Sequence, residues 1–279
     1  MESLLKTKAD ALRAMHHGGE VLVLANAWDV ASARVLEDAG AKAIATTSAG
    51  IAFMLGHPDG QRISREEMLG MVARIARAVT VPVTADVEAG YGNRPEDAAE
   101  TARGVIAAGA VGLNLEDGTG DAVHPLIDLP LAVEKVRAVR EAGGHSGVPL
   151  VINARTDVFL RKTGAPETRF DHALRRAIAF REAGADCVFL PGVADSATIA
   201  RFVRELQFPV NILAGPGSPT IPELQKLGVA RVSLGSKTML AAVTTARRVW
   251  EELLRDGTYT TLERSLTYEE LSKLLTHSP

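Results

Sequence analysis

The chain has 279 residues, and 46% of them are hydrophobic, which is enough to bury a large core in one barrel or in two ordinary domains. The formal net charge of −3 and the scattered basic residues argue against binding to nucleic acid or to an anionic membrane surface. No apolar run approaches about 18 residues and the single cysteine, Cys187, excludes an internal disulfide, so we expect a cytoplasmic protein without a membrane span or secretory signal.

Two kinds of apolar segment alternate along the chain. Short runs rich in β-branched residues predict buried strands at 21–25, 41–47, 81–86, 111–117, 149–157, 185–192, 208–217 and 230–236. Segments with apolar residues at helical spacing predict helices at 3–17, 29–40, 63–80, 94–109, 131–143, 170–184, 195–207, 221–228, 237–256 and 267–276. Ser64 and Glu67 have the spacing of a capping box at a helix start. Two long connections remain: 48–62, of the kind that carries functional residues, and the polar loop 118–130.

Eight strand–helix units in succession are typical of a (β/α)8 barrel, the TIM-type α/β fold. The alternative is a doubly wound open sheet. Such a sheet usually has fewer units, however, and the chain has no glycine fingerprint after its first strand. No change in composition suggests a linker, so we predict a single barrel domain over residues 1–279.

The segment 81–92, VPVTADVEAGYG, has the strongest functional pattern in the sequence. Asp86 and Glu88 are two residues apart at the end of a predicted buried strand, so in extended geometry both carboxylates leave the same side of the backbone. Hard oxygen ligands beside a flexible glycine loop are what an open Mg²⁺ site needs. The alternative is that Asp86 caps a helix and Glu88 is solvated.

Further polar residues follow other predicted strands, at points that a barrel brings to one mouth. Glu116 follows the fourth strand, Arg155 follows the fifth, and Asn211 lies in the seventh. Together with Asp59, the acids of this mouth cannot all be ionised at close range without a cation, because like charges raise each other's pKa. The sequence has no cysteine–histidine cluster, so we predict Mg²⁺ or Mn²⁺ rather than zinc.

Three features of the predicted mouth can bind a small carboxylic acid. The guanidinium of Arg155 can form paired hydrogen bonds with a carboxylate or phosphonate, or else an internal ion pair with one of the acids. Asn211 can donate to a second carboxylate or satisfy nearby backbone. The turn at Thr47, Ser48 and Ala49 can present backbone N–H groups to an oxyanion. These groups fit a small 2-oxo acid or its enolate.

Four segments, AIATTSAGIAFMLGHPD, VTADVEAGYGN, VGLNLEDG and INARTD, resemble in order and spacing the isocitrate lyase/phosphoenolpyruvate mutase superfamily. The resemblance extends from about residue 20 to residue 250. It implies a (β/α)8 barrel whose eighth helix is exchanged between the protomers of a dimer or tetramer, here within 237–279. It also implies chemistry on C–C or C–P bonds through Mg²⁺-bound, pyruvate-like enolates.

The resemblance implies a role for each predicted acid. Asp86 is similar to the family's direct metal ligand, which makes Mg²⁺ the expected cofactor. Asp59, Glu88 and Glu116 resemble the acids that hold metal-bound waters. These three acids and Arg155 are the candidate catalytic residues.

The same resemblance implies how a substrate is bound. Arg155 is similar to the arginine on the substrate carboxylate, and Asn211 is similar to the amide that binds a distal carboxylate in methylisocitrate lyases. Thr47, Ser48 and Ala49 match a Ser-Gly-x turn whose backbone amides bind the 2-oxo acid. In this chain Thr and Ser replace the Ser and Gly of that turn.

The chain departs from the family at the residues that select the reaction. Lyases of the family have a Lys-(Lys/Arg)-Cys-Gly-His segment in the loop after the fourth strand, but 118–130 contains no cysteine and does not match the mutase loop either. Cys187 lies in an apolar strand and is predicted to be inert. Pro191 and Gly192 replace a family glutamate. His124 is the loop's one residue suited to proton transfer at neutral pH, or else it is simply solvated.

We therefore expect a Mg²⁺-dependent lyase that cleaves a C–C bond of a small 2-oxo or 2-hydroxy di- or tricarboxylate, such as oxaloacetate or a methylisocitrate-like acid. One alternative is a phosphoenolpyruvate mutase or phosphonopyruvate hydrolase, which acts on a C–P bond. The other is a barrel that binds a 2-oxo acid without turnover. The expected partners are the small acid and further copies of the chain, in a homodimer or homotetramer.

Overall fold

The computed structural model describes residues 2–276 and contains a closed barrel of eight parallel strands in sequence order. The predicted (β/α)8 fold is confirmed. The strands are β1 Leu22–Ala27, β2 Ile44–Thr46, β3 Val83–Asp86, β4 Gly112–Glu116, β5 Val151–Arg155, β6 Cys187–Phe189, β7 Val210–Leu213 and β8 Arg231–Ser233. Residue 1 and residues 277–279, which the predicted domain includes, lie outside the described residues.

Helices alternate with the strands, and each strand overlaps a predicted one. The helices are α1 Glu2–Met15, α2 Val30–Asp38, α3 Ser48–Met54, α4 Arg65–Ala78, α5 Pro95–Ala107, α6 Leu129–His145, α7 Pro166–Glu182, α8 Ser196–Leu206, α9 Ile221–Lys226, α10 Lys237–Arg255 and α11 Tyr268–Thr276, with a 3₁₀ turn at Thr260–Leu262. Within residues 2–276, no helix combines the length and the apolar character needed to cross a membrane.

Local capping explains where several helices begin. The predicted capping box starts α4: Ser64 Oγ accepts the N–H of Glu67, and the Glu67 carboxylate accepts the N–H of Ser64 at 2.8 Å. The connection predicted at 48–62 contains the short helix α3, which begins directly after β2. Thr47 caps α3 because its hydroxyl accepts the N–H of Gly50 at 3.3 Å.

Helix α1 closes the N-terminal end of the barrel. Ala9 and Leu12 are fully buried there and pack against strand residues such as Leu22 and Val151. Leu12 fits tightly because β4 has a glycine at this point: a Cβ on Gly112 would lie 3.0 Å from Leu12 Cδ2. The barrel is therefore open for chemistry at the other end, where the carboxyl ends of the strands meet.

Helix α10 begins at this open end and then leaves the barrel surface. Met239 near its start is buried, whereas the apolar residues Leu240, Val243, Trp250 and Leu254 are 46%, 47%, 62% and 72% exposed. These four side chains form an apolar stripe along α10 that remains exposed within the described chain.

Candidate active site

The carboxyl ends of the strands and the loops after them bring the predicted acids to one mouth. Asp86 ends β3, Glu116 ends β4 and Arg155 ends β5. Glu88 follows β3 by two residues, and its electrostatic influence reaches both Asp59 and Glu116. The five charged residues predicted from separate segments therefore form one cluster.

Asp86 is fixed by hydrogen bonds on three sides. Its Oδ2 accepts the Ser48 backbone N–H at 2.9 Å and the Ser48 hydroxyl at 2.8 Å, and its own N–H donates to Thr46 Oγ1 at 2.8 Å. Asn114 Nδ2 lies 3.4 Å from Asp86 Oδ1, which leaves this oxygen the less engaged of the two. One backbone donor of the predicted oxyanion turn, that of Ser48, is thus directed to Asp86.

Glu88 has a left-handed backbone, with φ of 50°, a conformation that non-glycine residues rarely adopt. Its carboxylate accepts the N–H of Gln61 at 2.5 Å and lies 3.4 Å from the hydroxyl of Tyr91. Burial, followed by the charges of Asp59 and Asp86, raises the pKa of Glu88 to about 7. The connection after α3 and the loop after β3 are tied together at this carboxylate.

The other acids respond to the same surroundings. Burial and the charge of Asp86 raise the pKa of Asp59. Burial raises the pKa of Glu116 well above its ordinary value, although the nearby guanidinium of Arg155, with its Nη1 2.6 Å from Glu116 Oε2, opposes this shift. The raised pKa values favour the neutral, protonated form of each of these carboxyl groups unless a cation is close.

Arg155 is bound to two acids. Its Nε and Nη2 donate to Asp157 at 2.6 and 2.9 Å, and its Nη1 pairs with Glu116. The internal ion pair that the sequence left open is thus present, and one remaining N–H on each terminal nitrogen is what Arg155 can offer to a carboxylate. Asp157 was not predicted as a site residue, although its position two residues after Arg155 in NARTD was a usable signal.

Asn211 lies on the β7–β8 wall and is fully buried. Its Oδ1 accepts the Ser233 hydroxyl at 3.2 Å, whereas its Nδ2 has no hydrogen-bond partner within residues 2–276. Its role toward a distal carboxylate stays a prediction, but the donor that this role requires is available.

A second polar network, beneath the acids, was not anticipated from the sequence. Arg231 on β8 is fully buried and donates through Nη2 to Asn114 Oδ1 at 3.2 Å, which also accepts Asn153 Nδ2 at 2.8 Å. Asn114 in turn faces Asp86. Burial lowers the pKa of Arg231 to about 10, so it stays charged at neutral pH. An arginine in the middle of the apolar run VARVSLG was the available signal.

The polar loop 118–130 is anchored at its base and exposed at its tip. Arg176 on α7 donates to Asp117 Oδ2 at 2.6 Å and to the carbonyl of Ile127 at 2.5 Å. His124 is exposed, and its recorded hydrogen bonds involve only its backbone. Cys187 is fully buried, and burial raises the pKa of its thiol to about 12, in keeping with the predicted inert thiol.

The donor set can be tested against a metal ion. Across the described chain, no three histidine, cysteine or acidic side chains have the spacing of a metal site. The carboxylates nevertheless raise one another's pKa, and a divalent cation among them would reverse that shift. Because the available donors are hard oxygens, they fit Mg²⁺ or Mn²⁺ held by one carboxylate directly and by the others through water.

This barrel and its acidic mouth define an enzyme of the phosphoenolpyruvate phosphomutase class, and comparison with known proteins agrees. The chain belongs to the phosphoenolpyruvate phosphomutase family, whose model matches residues 12–254. It is 36% identical over 261 residues to an uncharacterised protein of Mycobacterium tuberculosis (strain ATCC 25618 / H37Rv), covering 94% of each chain. It is 28% identical to the oxaloacetate decarboxylase of Bradyrhizobium diazoefficiens, covering 96% of this chain and 92% of that one.

Solved structures extend the comparison. A protein of Burkholderia cenocepacia J2315 described as a lyase/mutase has a TM-score of 0.91 and 37% identity, with 97% and 96% of the chains covered. Oxaloacetate acetylhydrolase in complex with oxalate has a TM-score of 0.85 and 26% identity (97% and 94%). A phosphonopyruvate hydrolase complex with oxalate and Mg²⁺ has a TM-score of 0.83 and 26% identity, with 96% of this chain and 94% of that chain covered. The predicted superfamily is confirmed, and the chain is a carbon–carbon lyase of this superfamily.

Proposed function

We propose that the protein is a cytoplasmic, Mg²⁺-dependent lyase that cleaves a C–C bond of a small 2-oxo or 2-hydroxy di- or tricarboxylate through a pyruvate-type enolate. Oxaloacetate and methylisocitrate-like acids are the candidate substrates. The observation that supports this most directly is the cluster of four acids, in which the charge of Asp86 helps to raise the pKa values of Asp59, Glu88 and Glu116. Binding a carboxylate alone would not require four acids in one mouth.

The residues of the mouth have separate proposed roles in binding the metal ion and the substrate. Asp86, held by Ser48, would be the direct ligand for Mg²⁺, and Asp59, Glu88 and Glu116 would hold the ion through water molecules. When bound, Mg²⁺ supplies the positive charge that stabilises a developing enolate. The free N–H groups of Arg155 orient the carboxylate next to the 2-oxo group, and the buried amide of Asn211 faces the far end of the acid.

Comparison with known proteins supports C–C over C–P chemistry. The relatives include an oxaloacetate decarboxylase, and the solved structures include 2,3-dimethylmalate lyase, with a TM-score of 0.83 and 26% identity, covering 96% and 94% of the chains. The loop 118–130 lacks the phosphonate-enzyme pattern. Phosphonopyruvate hydrolase is also among the structures, however, so phosphonopyruvate belongs in the test.

The test offers oxaloacetate, methylisocitrate, isocitrate and phosphonopyruvate separately with Mg²⁺ and measures release of pyruvate, or of glyoxylate in the case of isocitrate. We expect release from one of the carboxylates, abolished by EDTA and reduced at least about 100-fold in Asp86→Ala, because the metal loses its direct ligand. Phosphate release from phosphonopyruvate would instead identify a C–P enzyme. Full activity of Asp86→Ala would overturn the metal assignment. No release from any of the four, with 2-oxo acids still raising the Tm, would favour a binding protein.

We also propose a homodimer or homotetramer in which α10 is exchanged between protomers. The support is the exposed apolar stripe Leu240, Val243, Trp250 and Leu254, on a helix that begins at the mouth and leaves its own barrel. Packing this stripe on a second copy would remove it from water.

A further inference from the structure

Lys237, which the family resemblance does not include, lies at the rim of the mouth between β8 and α10. It is the first residue of α10 and follows β8 by four residues. The chain on either side is anchored: the N–H groups of Leu234 and Gly235 donate to Asn26 Oδ1 at 2.9 and 3.0 Å, and Thr238 Oγ1 donates to the Asn26 carbonyl at 3.0 Å. The backbone that positions Lys237 is therefore fixed to the end of β1.

The side chain of Lys237 occupies space that a glycine leaves open. Gly215 follows β7, and a Cβ on it would lie 2.5 Å from Lys237 Cε, 2.7 Å from its Cδ and 3.4 Å from its Nζ. Any larger residue at 215 would displace the lysine. The β7–β8 wall thus has a preformed place for an ammonium group.

The ammonium of Lys237 has no anionic partner among residues 2–276. Within this range its side chain has neither an ion pair nor a hydrogen bond, whereas Arg155 is bound to both Glu116 and Asp157. Lys237 is half-buried, and burial lowers its pKa because the charged ammonium loses part of its hydration. Asn211, on the same wall, adds a fully buried Nδ2 that also lacks a partner. Two unused donors on one wall are complementary to an anion.

The position of Lys237 around the barrel indicates what kind of anion it can bind. In the closed barrel β8 is three strands away from β5, which ends in Arg155, so Lys237 and Arg155 lie on different sides of the mouth. A ligand with one carboxylate can use only one of these cations. A ligand with two separated carboxylates can use both.

We propose that Lys237 binds the second, distal carboxylate of the substrate and thereby selects a 2-oxo or 2-hydroxy diacid over a monoacid. This inference rests on the proposed function for the placement of the first carboxylate near Arg155. It assigns the distal subsite to the β7–β8 wall, with Lys237 at the rim and Asn211 below it.

The experiment is isothermal titration calorimetry of the full chain, with Mg²⁺ present, against pyruvate as the monoacid and 2-oxoglutarate as a stable diacid. Lys237→Met removes the charge and keeps the length of the side chain. Gly215→Ala keeps the charge but pushes the ammonium out of its place, and its backbone is not in the left-handed region. Lys6→Met, on exposed α1 at the opposite end of the barrel, is the matched control.

We expect Lys237→Met to raise the Kd for the diacid by about 10- to 100-fold, the usual effect of losing a charge-assisted hydrogen bond, and to change the Kd for pyruvate less than about twofold. Gly215→Ala should weaken diacid binding in the same direction, Lys237→Arg should retain most of it, and Lys6→Met should change neither. An equal effect on both acids, or none on the diacid, would overturn the role of Lys237 whatever the activity assays show. Wild-type protein that binds the diacid and fails to turn over any carboxylate would contradict the proposed reaction but leave this subsite intact. Wild-type protein that binds neither acid would overturn the subsite, and turnover of a carboxylate by the same protein would leave the proposed reaction standing.

Discussion

At the scale of single residues, the active site contains polar side chains that orient other side chains through hydrogen bonds. Asp86 is oriented by Ser48, and Asn114 is held in turn by Arg231 and Asn153. A buried arginine without a carboxylate partner is costly, because its charge loses water and gains no opposite charge in direct contact. That cost is understandable where the arginine fixes an amide that faces Asp86, the proposed metal ligand. Arg231 therefore belongs to the support of the site.

His16 gives the fold a predictable pH dependence. Burial is the main reason its pKa falls to about 4, from an ordinary value near 6.5. Since the folded state binds the proton less readily than the unfolded state, this contribution to stability is complete above about pH 6.5 and is lost as the pH falls toward 4. We expect a loss of up to about 3 kcal/mol over this interval.

The measurement is urea denaturation of wild-type protein and of His16→Phe at pH 7 and pH 5. Carboxylate contributions are common to both proteins and cancel in the difference. The variant should lose less stability between the two pH values than wild type. Equal losses in the two proteins would show that His16 does not contribute.

At the scale of elements, the predictable features were those with a local cause. The start of α4 followed from Ser64 and Glu67 alone, because a capping box is complete within four residues. Helix α3 was not predicted, because its seven residues are too few to show helical periodicity and include Gly50. The ion pairs of Arg155 with Glu116 and Asp157 depend partly on which strands become neighbours, and only the pairing within NARTD was readable beforehand.

One buried ion pair between elements, Arg176 on α7 with Asp117 after β4, contributes to the anchorage of the loop 118–130. We expect Arg176→Met to destabilise the protein by about 3 kcal/mol, because it leaves the Asp117 carboxylate buried without its partner. The double variant Asp117→Asn/Arg176→Met should recover much of this loss.

Urea denaturation of the two single variants and the double variant provides the cycle. An exposed pair, Arg201 with Glu205, serves as the control, and its disruption should cost less than about 1 kcal/mol. Strictly additive losses for Asp117 and Arg176 would contradict the coupling.

At the scale of the whole molecule, the barrel followed from the regular alternation of strand and helix signals, and the family from four motifs. The two unused donors of the β7–β8 wall, Lys237 and Asn211, could not be assigned to one wall in advance, because the place of the Lys237 side chain depends on Gly215 and the wall itself on the closure of the sheet. The sequence therefore predicted which residues lie at the mouth better than it predicted which of them already have partners within the chain.

Helix α10 gives the prediction for assembly. Replacing Trp250 and Leu254 together by Glu places charges on the exposed apolar stripe, so we expect a monomer where wild type is a dimer or tetramer. Light scattering coupled to size-exclusion chromatography measures the mass. Two control variants on α10, Arg247→Glu and Glu251→Gln, test whether any change of charge on the helix also changes the mass. Wild-type protein that is already monomeric would refute the exchange.

The closure of the N-terminal end by α1 has a kinetic consequence. With Leu12 inserted against Gly112, the substrate of the proposed reaction would arrive, and both fragments would depart, through the mouth. A fragment held at the rim by Lys237, as proposed, would then be released before the fragment deep in the site. Such a release would be ordered, and the deep fragment, as the last to leave, would be the product that competes with fresh substrate for the free enzyme.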